Sequence, residues 1–129
     1  MVTREDVEGY LLRMEIAYQE LEEGLWVVGD REEVAPVFVN YAPPLLLVRV
    51  EVMDSPNDEE LRNGLFRELL ELNATDLIHG AYGLDGNEIV LSDTLQLADL
   101  DFSEIQASLE SILMALRSHF ETLSRYRNP

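Results

Sequence analysis

The chain has 129 residues, 47% of them apolar; it carries 26 acids against 9 bases for a net charge of −17, and it has no cysteine. That length and apolar content fit a single domain over residues 1–129 with its own core, and they exclude wholesale disorder. Every base is arginine, so disulfides, thiolate metal sites, Schiff-base lysines and phosphate-loop lysines are excluded, and so negative a field repels nucleic-acid phosphates.

No run approaches the ~20 apolar residues of a membrane span. The start, Met1-Val2-Thr3-Arg4-Glu5-Asp6, is unlike a secretory or transit signal. A cytoplasmic protein with no nucleic-acid or membrane partner is expected. Thr3 is placed as the N-cap of a first helix, with Glu5 and Asp6 in its first turn. Val7, Tyr10, Leu11, Met14, Tyr18 and Leu21 recur at helical spacing, which predicts one helix ending at Gly24. Three strands are predicted next: Leu25-Trp26-Val27-Val28, closed by Gly29-Asp30; Val37-Phe38-Val39-Asn40-Tyr41, between Pro36 and Pro43-Pro44; and residues 45–53. Short links between them predict an antiparallel meander. Ser55-Pro56 is expected to open a second helix, with Pro56 at its first position and Asp58 and Glu59 in its first turn. A hairpin follows, residues 78–84 and 88–97 flanking Asp85-Gly86-Asn87, with Gly80 and Gly83 inside its first strand. Ser103 is read as the cap of the last helix and Gln106 as its capping-box partner. Ile105, Leu109, Ile112, Leu113, Leu116, Phe120 and Leu123 trace one face of that helix. The tail Arg125-Tyr126-Arg127-Asn128-Pro129 is expected to fray. The expected fold class is α+β, in the order α-β-β-β-α-β-β-α, an antiparallel sheet with helices packed on it.

Polar residues give no catalytic constellation. His79 is expected at the start of a strand and His119 on the polar side of the last helix; neither has a local partner at metal-ligand spacing. Asp99, Asp101 and Glu110 have the acid spacing of a calcium loop, but Glu104 stands where the sharp turn needs glycine, so an acidic start to a helix is the better reading. The runs Glu22-Glu23, Glu32-Glu33 and Asp58-Glu59-Glu60 are read as solvated, since a catalytic carboxylate pair needs burial that splits its pKa values. Asn73-Ala74-Thr75 matches a glycosylation sequon by chance. No serine lies in a nucleophile elbow and no glycine-rich phosphate loop occurs. The expectation is a non-enzyme with no cofactor and no metal.

The apolar residues say more. Trp26, Phe38, Tyr41, Leu45 and Leu47 put large side chains on both faces of the predicted sheet. Either helices cover both faces, or one face is an apolar groove for a client protein. On the second helix, Leu61, Leu65 and Leu69 form one row, with Phe66 and Leu70 in a second beside it. One sheet contact buries one row; the other is a candidate homodimer interface.

The stretches Leu69-Leu70-Glu71-Leu72-Asn73, His79-Gly80-Ala81-Tyr82-Gly83-Leu84 and Glu88-Ile89-Val90-Leu91 resemble the Tir-chaperone family, the small acidic chaperones of type III secretion. They are also similar to the related YbjN-like proteins, often labelled sensory transduction regulators. The likeness covers residues 61–123 by wording and the first half mainly by element order, Leu25-Trp26-Val27-Val28 included. It implies the element order above, a homodimer built around the middle helix, no catalytic residues, and partners that are unfolded-like segments of secreted proteins bound on apolar patches. A YbjN-like regulator, acting by protein contact without a secretion role, is the alternative it implies.

Overall fold

The first helix begins where its capping signal places it and ends well before its apolar stripe does. In the computed structural model, which describes residues 1–29 and 35–127, α1 spans Arg4–Arg13. The Thr3 hydroxyl accepts from the Asp6 N–H at 3.1 Å, and the Asp6 carboxylate accepts from the Thr3 N–H at 2.9 Å, a reciprocal cap that satisfies two orphan donors. Glu15 then takes φ 58, a left-handed backbone that no helix can continue through. Tyr18 and Leu21, expected on this helix, lie instead on β1 (Tyr18–Glu22). The reason is tertiary. Gln, Glu and Leu are good helix formers, but pairing with β2 (Leu25–Val28) outweighs that weak preference. The order is thus α-β-β-β-β-α-β-β-α, one strand more than the sequence predicts.

Three further strands complete the meander and the hairpin: β3 (Val37–Ala42) and β4 (Leu45–Asp54), then β5 (Ala81–Asp85) with β6 (Glu88–Gln96). All six form one antiparallel sheet in the order β1-β2-β3-β4-β6-β5. The Pro43-Pro44 link between β3 and β4 is cis, and Gly86-Asn87 forms the turn of the hairpin as predicted. The expected closing residue Asp30, the acidic pair Glu32-Glu33 and the tail residues Asn128-Pro129 lie outside the described residues.

The other two helices are α2 (Glu59–Thr75) and α3 (Phe102–Ser124). Both start at an acid, not at the predicted serines. Asp58 caps α2 by accepting from the Leu61 N–H at 2.9 Å. Ser55 is tied to the hairpin turn, its N–H donating to the Asn87 carbonyl, so the chain bends into a helix only beyond Pro56. Asp101 caps α3 in a capping box with Glu104, which leaves Ser103 inside the helix. Gly80 is not within β5 but immediately before it, at φ +83. A Cβ there would stand 2.9 Å from both the Ile112 side chain and the Ser92 carbonyl oxygen. Only glycine fits that squeeze between α3 and β6.

All three helices pack on one face of the sheet. Val7 and Leu11 of α1, Leu65 and Leu69 of α2, and Ile105, Leu109, Ile112 and Leu116 of α3 share a core with Trp26, Val39, Val48, Val50 and Leu91. Of the two arrangements open at the sequence level, the second holds among the described residues: one face is left without a helix.

Candidate protein-interaction surfaces

The register sorts every strand residue by face. Trp26, Val39 and Val48 stand in one cross-strand row, and Val28, Val37, Val50, Leu91 and Tyr82 in another; both rows are buried under the helices. The intervening rows point away from them. They read Leu25, Asn40, Leu47, Thr94, then Val27, Phe38, Arg49, Ser92, Ala81, then Glu51, Val90, Gly83. On this open face Leu25, Phe38, Asn40 and Leu47 line a shallow depression of about 320 Å3, with Arg49 and Glu51 at one end. Leu45 shares the face, and Leu25, Phe38, Leu45 and Leu47 are all half-buried. Arg49 pairs with Asp85 at 2.6 Å. The register places Val90, only 7% exposed, between the two partners.

The five residues singled out for a client thus divide. Phe38, Leu45 and Leu47 stand on the open face. Trp26 is fully buried beneath the helices, and Tyr41 shares that inner side, where its hydroxyl donates to the Val2 carbonyl at 2.9 Å. Alternation decides this: Trp26 and Phe38 belong to neighbouring strands but to rows of opposite parity.

A second apolar surface lies where α2 overhangs β5, an edge strand. Leu65 and Leu69 are buried against the sheet, while Leu61 and Leu70 are 41% and 69% exposed and Phe66 is half-buried. Phe66, Leu69 and Leu70 meet Tyr82, Leu84 and Ile89 around a depression of about 230 Å3. The predicted first row thus splits, with Leu65 and Leu69 buried and Leu61 exposed, and Leu84, 53% exposed, joins the outer surface of Phe66 and Leu70. Its place on a hairpin strand gave no signal for that. The strand edge is itself stitched to the helix: Asn73 accepts from the Tyr82 N–H at 2.7 Å and donates to the Tyr82 carbonyl at 3.1 Å. A side-chain amide thus takes the place of a further strand at that residue.

His119 departs from its expected place on the polar side of α3. It is buried, with Nδ1 sharing a 2.8 Å hydrogen bond with the Tyr82 hydroxyl and Nε2 lying 3.1 Å from the Asp76 carboxylate. A carboxylate only accepts, so Nε2 carries the hydrogen. Burial, helped by Asp76, pushes the Tyr82 phenol well above its ordinary pKa, which keeps its O–H intact. Three elements supply the three groups, 37 to 43 residues apart in sequence from His119, so local spacing could not reveal them. His79 precedes β5 by two residues, with its N–H donating to the Ser111 hydroxyl at 3.3 Å. Among the described residues no group of three or more His, Asp or Glu is placed to hold a metal ion, and no helix is long and apolar enough to cross a membrane. Asp99 is exposed at φ 61, Asp101 is engaged as a cap, and Glu110 lies exposed on α3.

The sequence model of the CesT_Tir_1 family, a type III secretion chaperone family, matches residues 1–128. The chain belongs to that family. Its fold is that of several solved structures. A chain of the heterodimeric ExoU-SpcU complex of the type III secretion system of Pseudomonas aeruginosa superposes with TM-score 0.68 at 17% identity, over 95% of this chain and 98% of that one. YbjN, a transcription-regulator candidate from E. coli, gives TM-score 0.67 at 10% identity, over 93% and 92%. A chain of the ExoT-SpcS complex of Pseudomonas aeruginosa gives 0.60 at 16%, over 89% and 94%. At such identities the likeness is one of fold. No curated protein matches the chain. In this CesT_Tir_1 member the family's element order thus carries one bare sheet face and one apolar overhang at α2 and β5.

Proposed function

We propose that the protein is a non-catalytic, cytoplasmic, chaperone-like module that works as a homodimer and holds a segment of another polypeptide. The observation that carries this is the sheet face without helices, on which Leu25, Phe38 and Leu47 line a depression in the middle of the sheet. A lone domain gains nothing from apolar side chains in that position, whereas a binding module uses them. The family supports the reading, as do neighbours of the same fold solved in complexes with other proteins. The second copy is assigned to Leu61, Phe66 and Leu70 of α2 with Leu84. Leu65 and Leu69 lie beneath that patch, where they hold the helix to the sheet. An isologous contact would cover the exposed row twice over.

Light scattering on the full chain at tens of micromolar tests the dimer. The expected result is a dimer that Phe66→Asp splits while circular dichroism stays native, because an unpaired charge in a desolvated interface is costly. A wild-type monomer would overturn the homodimer. A regulator of the YbjN kind, acting by contact alone, is the second reading, favoured by the shared fold over 93% of the chain. It requires the same surfaces and differs in the partner's fate after binding.

A further inference from the structure

The open face is not uniform from end to end. Its apolar depression, lined by Leu25, Phe38 and Leu47, ends at Glu51. Glu51 also lines a second, polar depression of about 470 Å3 with Asp54, Glu88 and Arg127. One residue thus belongs to both, so the acidic depression adjoins the apolar one at Glu51. At the far end Asp54, Glu88 and Asp85 stand in one cross-strand row beyond Glu51. Four carboxylates there face two guanidiniums, of which Arg49 is already bound to Asp85. The Glu88 carboxyl is pushed above its ordinary pKa by partial burial and by the carboxylates of Glu51 and Asp54. Arg49 and Arg127 offset only part of that repulsion, two guanidiniums against four carboxylates.

We infer that the open face receives a polypeptide segment of amphipathic, basic character, with an apolar side chain over Leu25, Phe38 and Leu47 and a Lys or Arg over Glu51, Asp54 and Glu88. This rests on the reading that the open face holds a partner polypeptide, and it adds that partner's chemistry and spacing. Leu47 and Glu51 are four residues apart on one strand, which is about 13 Å. An extended partner lying along β4 meets both ends with an apolar and a basic side chain four residues apart. The basic residue neutralises a repulsive cluster, and the apolar one covers side chains that water now touches. An acidic segment would meet like charge at the same place, so the acidic end also sets polarity and excludes wrong partners.

The test is fluorescence anisotropy of the full chain with three labelled peptides of equal length. The first carries Leu and Phe with Lys four residues on; the second replaces each Lys by Glu; the third keeps Lys and replaces Leu and Phe by Ser. Binding of the first peptide is expected to exceed that of both others. The double variant Glu51→Gln with Glu88→Gln should weaken it roughly three- to ten-fold, as two partly exposed ion pairs would. Glu110→Gln with Glu121→Gln, two exposed positions on α3, changes net charge equally and should leave binding unchanged. Equal loss in both double variants, or no preference between the Lys and Glu peptides, would overturn the inference. If in that case Phe38→Ser still weakens apolar peptides, the face remains a polypeptide site without a basic preference. Binding of none of the peptides would sink the inference and the client role of this face together.

Discussion

The two faces of the sheet are built from the same strands and differ in almost everything else. On the inner face Val39, Val48 and Val50 are completely buried beneath α3 and its neighbours. On the outer face the residues beside them in sequence, Phe38, Leu47 and Arg49, stay half-buried and line a shallow track. A sheet needs only one covered face to be stable, provided the other is polar enough for water. Here the outer face is polar at one end and apolar at the other. The inner face therefore carries the stability of the fold, and the outer face is free to carry its contacts. The edges of the sheet show the same division of labour. Asn73 of α2 takes up the Tyr82 backbone on β5, whereas β1 at the opposite edge has side chains that are almost all exposed.

If the faces differ in this way, substitutions should separate into classes. The largest effect is expected beneath the helices. Leu113→Ala, at a site 5% exposed on α3, should cost about 2–5 kcal/mol, because the cavity it leaves cannot fully collapse; urea melts would measure it, and a loss under about half a kcal/mol would remove Leu113 from the core. Asn73→Ala should cost about 1–3 kcal/mol, since it strips two hydrogen bonds from the Tyr82 backbone. The Tyr82 amide should then exchange with deuterium markedly faster, and unchanged exchange would mean that the β5 edge is protected by something else. Phe38→Ser on the outer face should change stability by less than about 1 kcal/mol while weakening binding of apolar peptides. A cost like that of Leu113→Ala would erase the distinction between the faces.

The smallest effect is one of pH. The Glu88 pKa is raised in the fold by partial burial and by its acidic neighbours, so the folded state binds its proton more tightly than the unfolded chain does. Its charged form therefore works against folding above the folded pKa, and that penalty vanishes below the ordinary glutamate value. Glu88→Gln should match wild type in acid and gain on it as pH rises through the carboxylate range towards neutrality. A difference in stability that does not change with pH would show that the acidic end is already neutralised.

What could be read beforehand follows from how local each signal is. The Thr3 cap, the turn after Asp85 and the face of α3 are written in residues a few positions apart; the first two hold, and the third holds except at Phe120, which is 46% exposed. The rows on α2 are equally local but only partly legible: Leu65 and Leu69 are buried and Leu70 is exposed, whereas Leu61, predicted in the buried row, is 41% exposed at the start of the helix. The stretch around Tyr18 misleads because an edge strand exposed on both sides need not alternate, so Tyr18-Gln19-Glu20-Leu21-Glu22 prolongs a helical pattern by chance. His119 misleads for another reason. It adjoins the half-exposed Phe120 on α3, yet Tyr82 and Asp76 arrive from other elements and make burial of its ring tolerable.

Sequence by itself determined the fold class of the protein. Capped amphipathic helices and a glycine-turned hairpin already specify the α+β class. Only the tertiary structure decided which side of the sheet is bare. Alternation along a strand divides its residues into two faces but is silent on which face a helix will cover. That choice is made by α1, α2 and α3 together, when Leu11, Leu65 and Leu109 all reach the same core and leave Phe38, Leu47 and Glu51 on the other side.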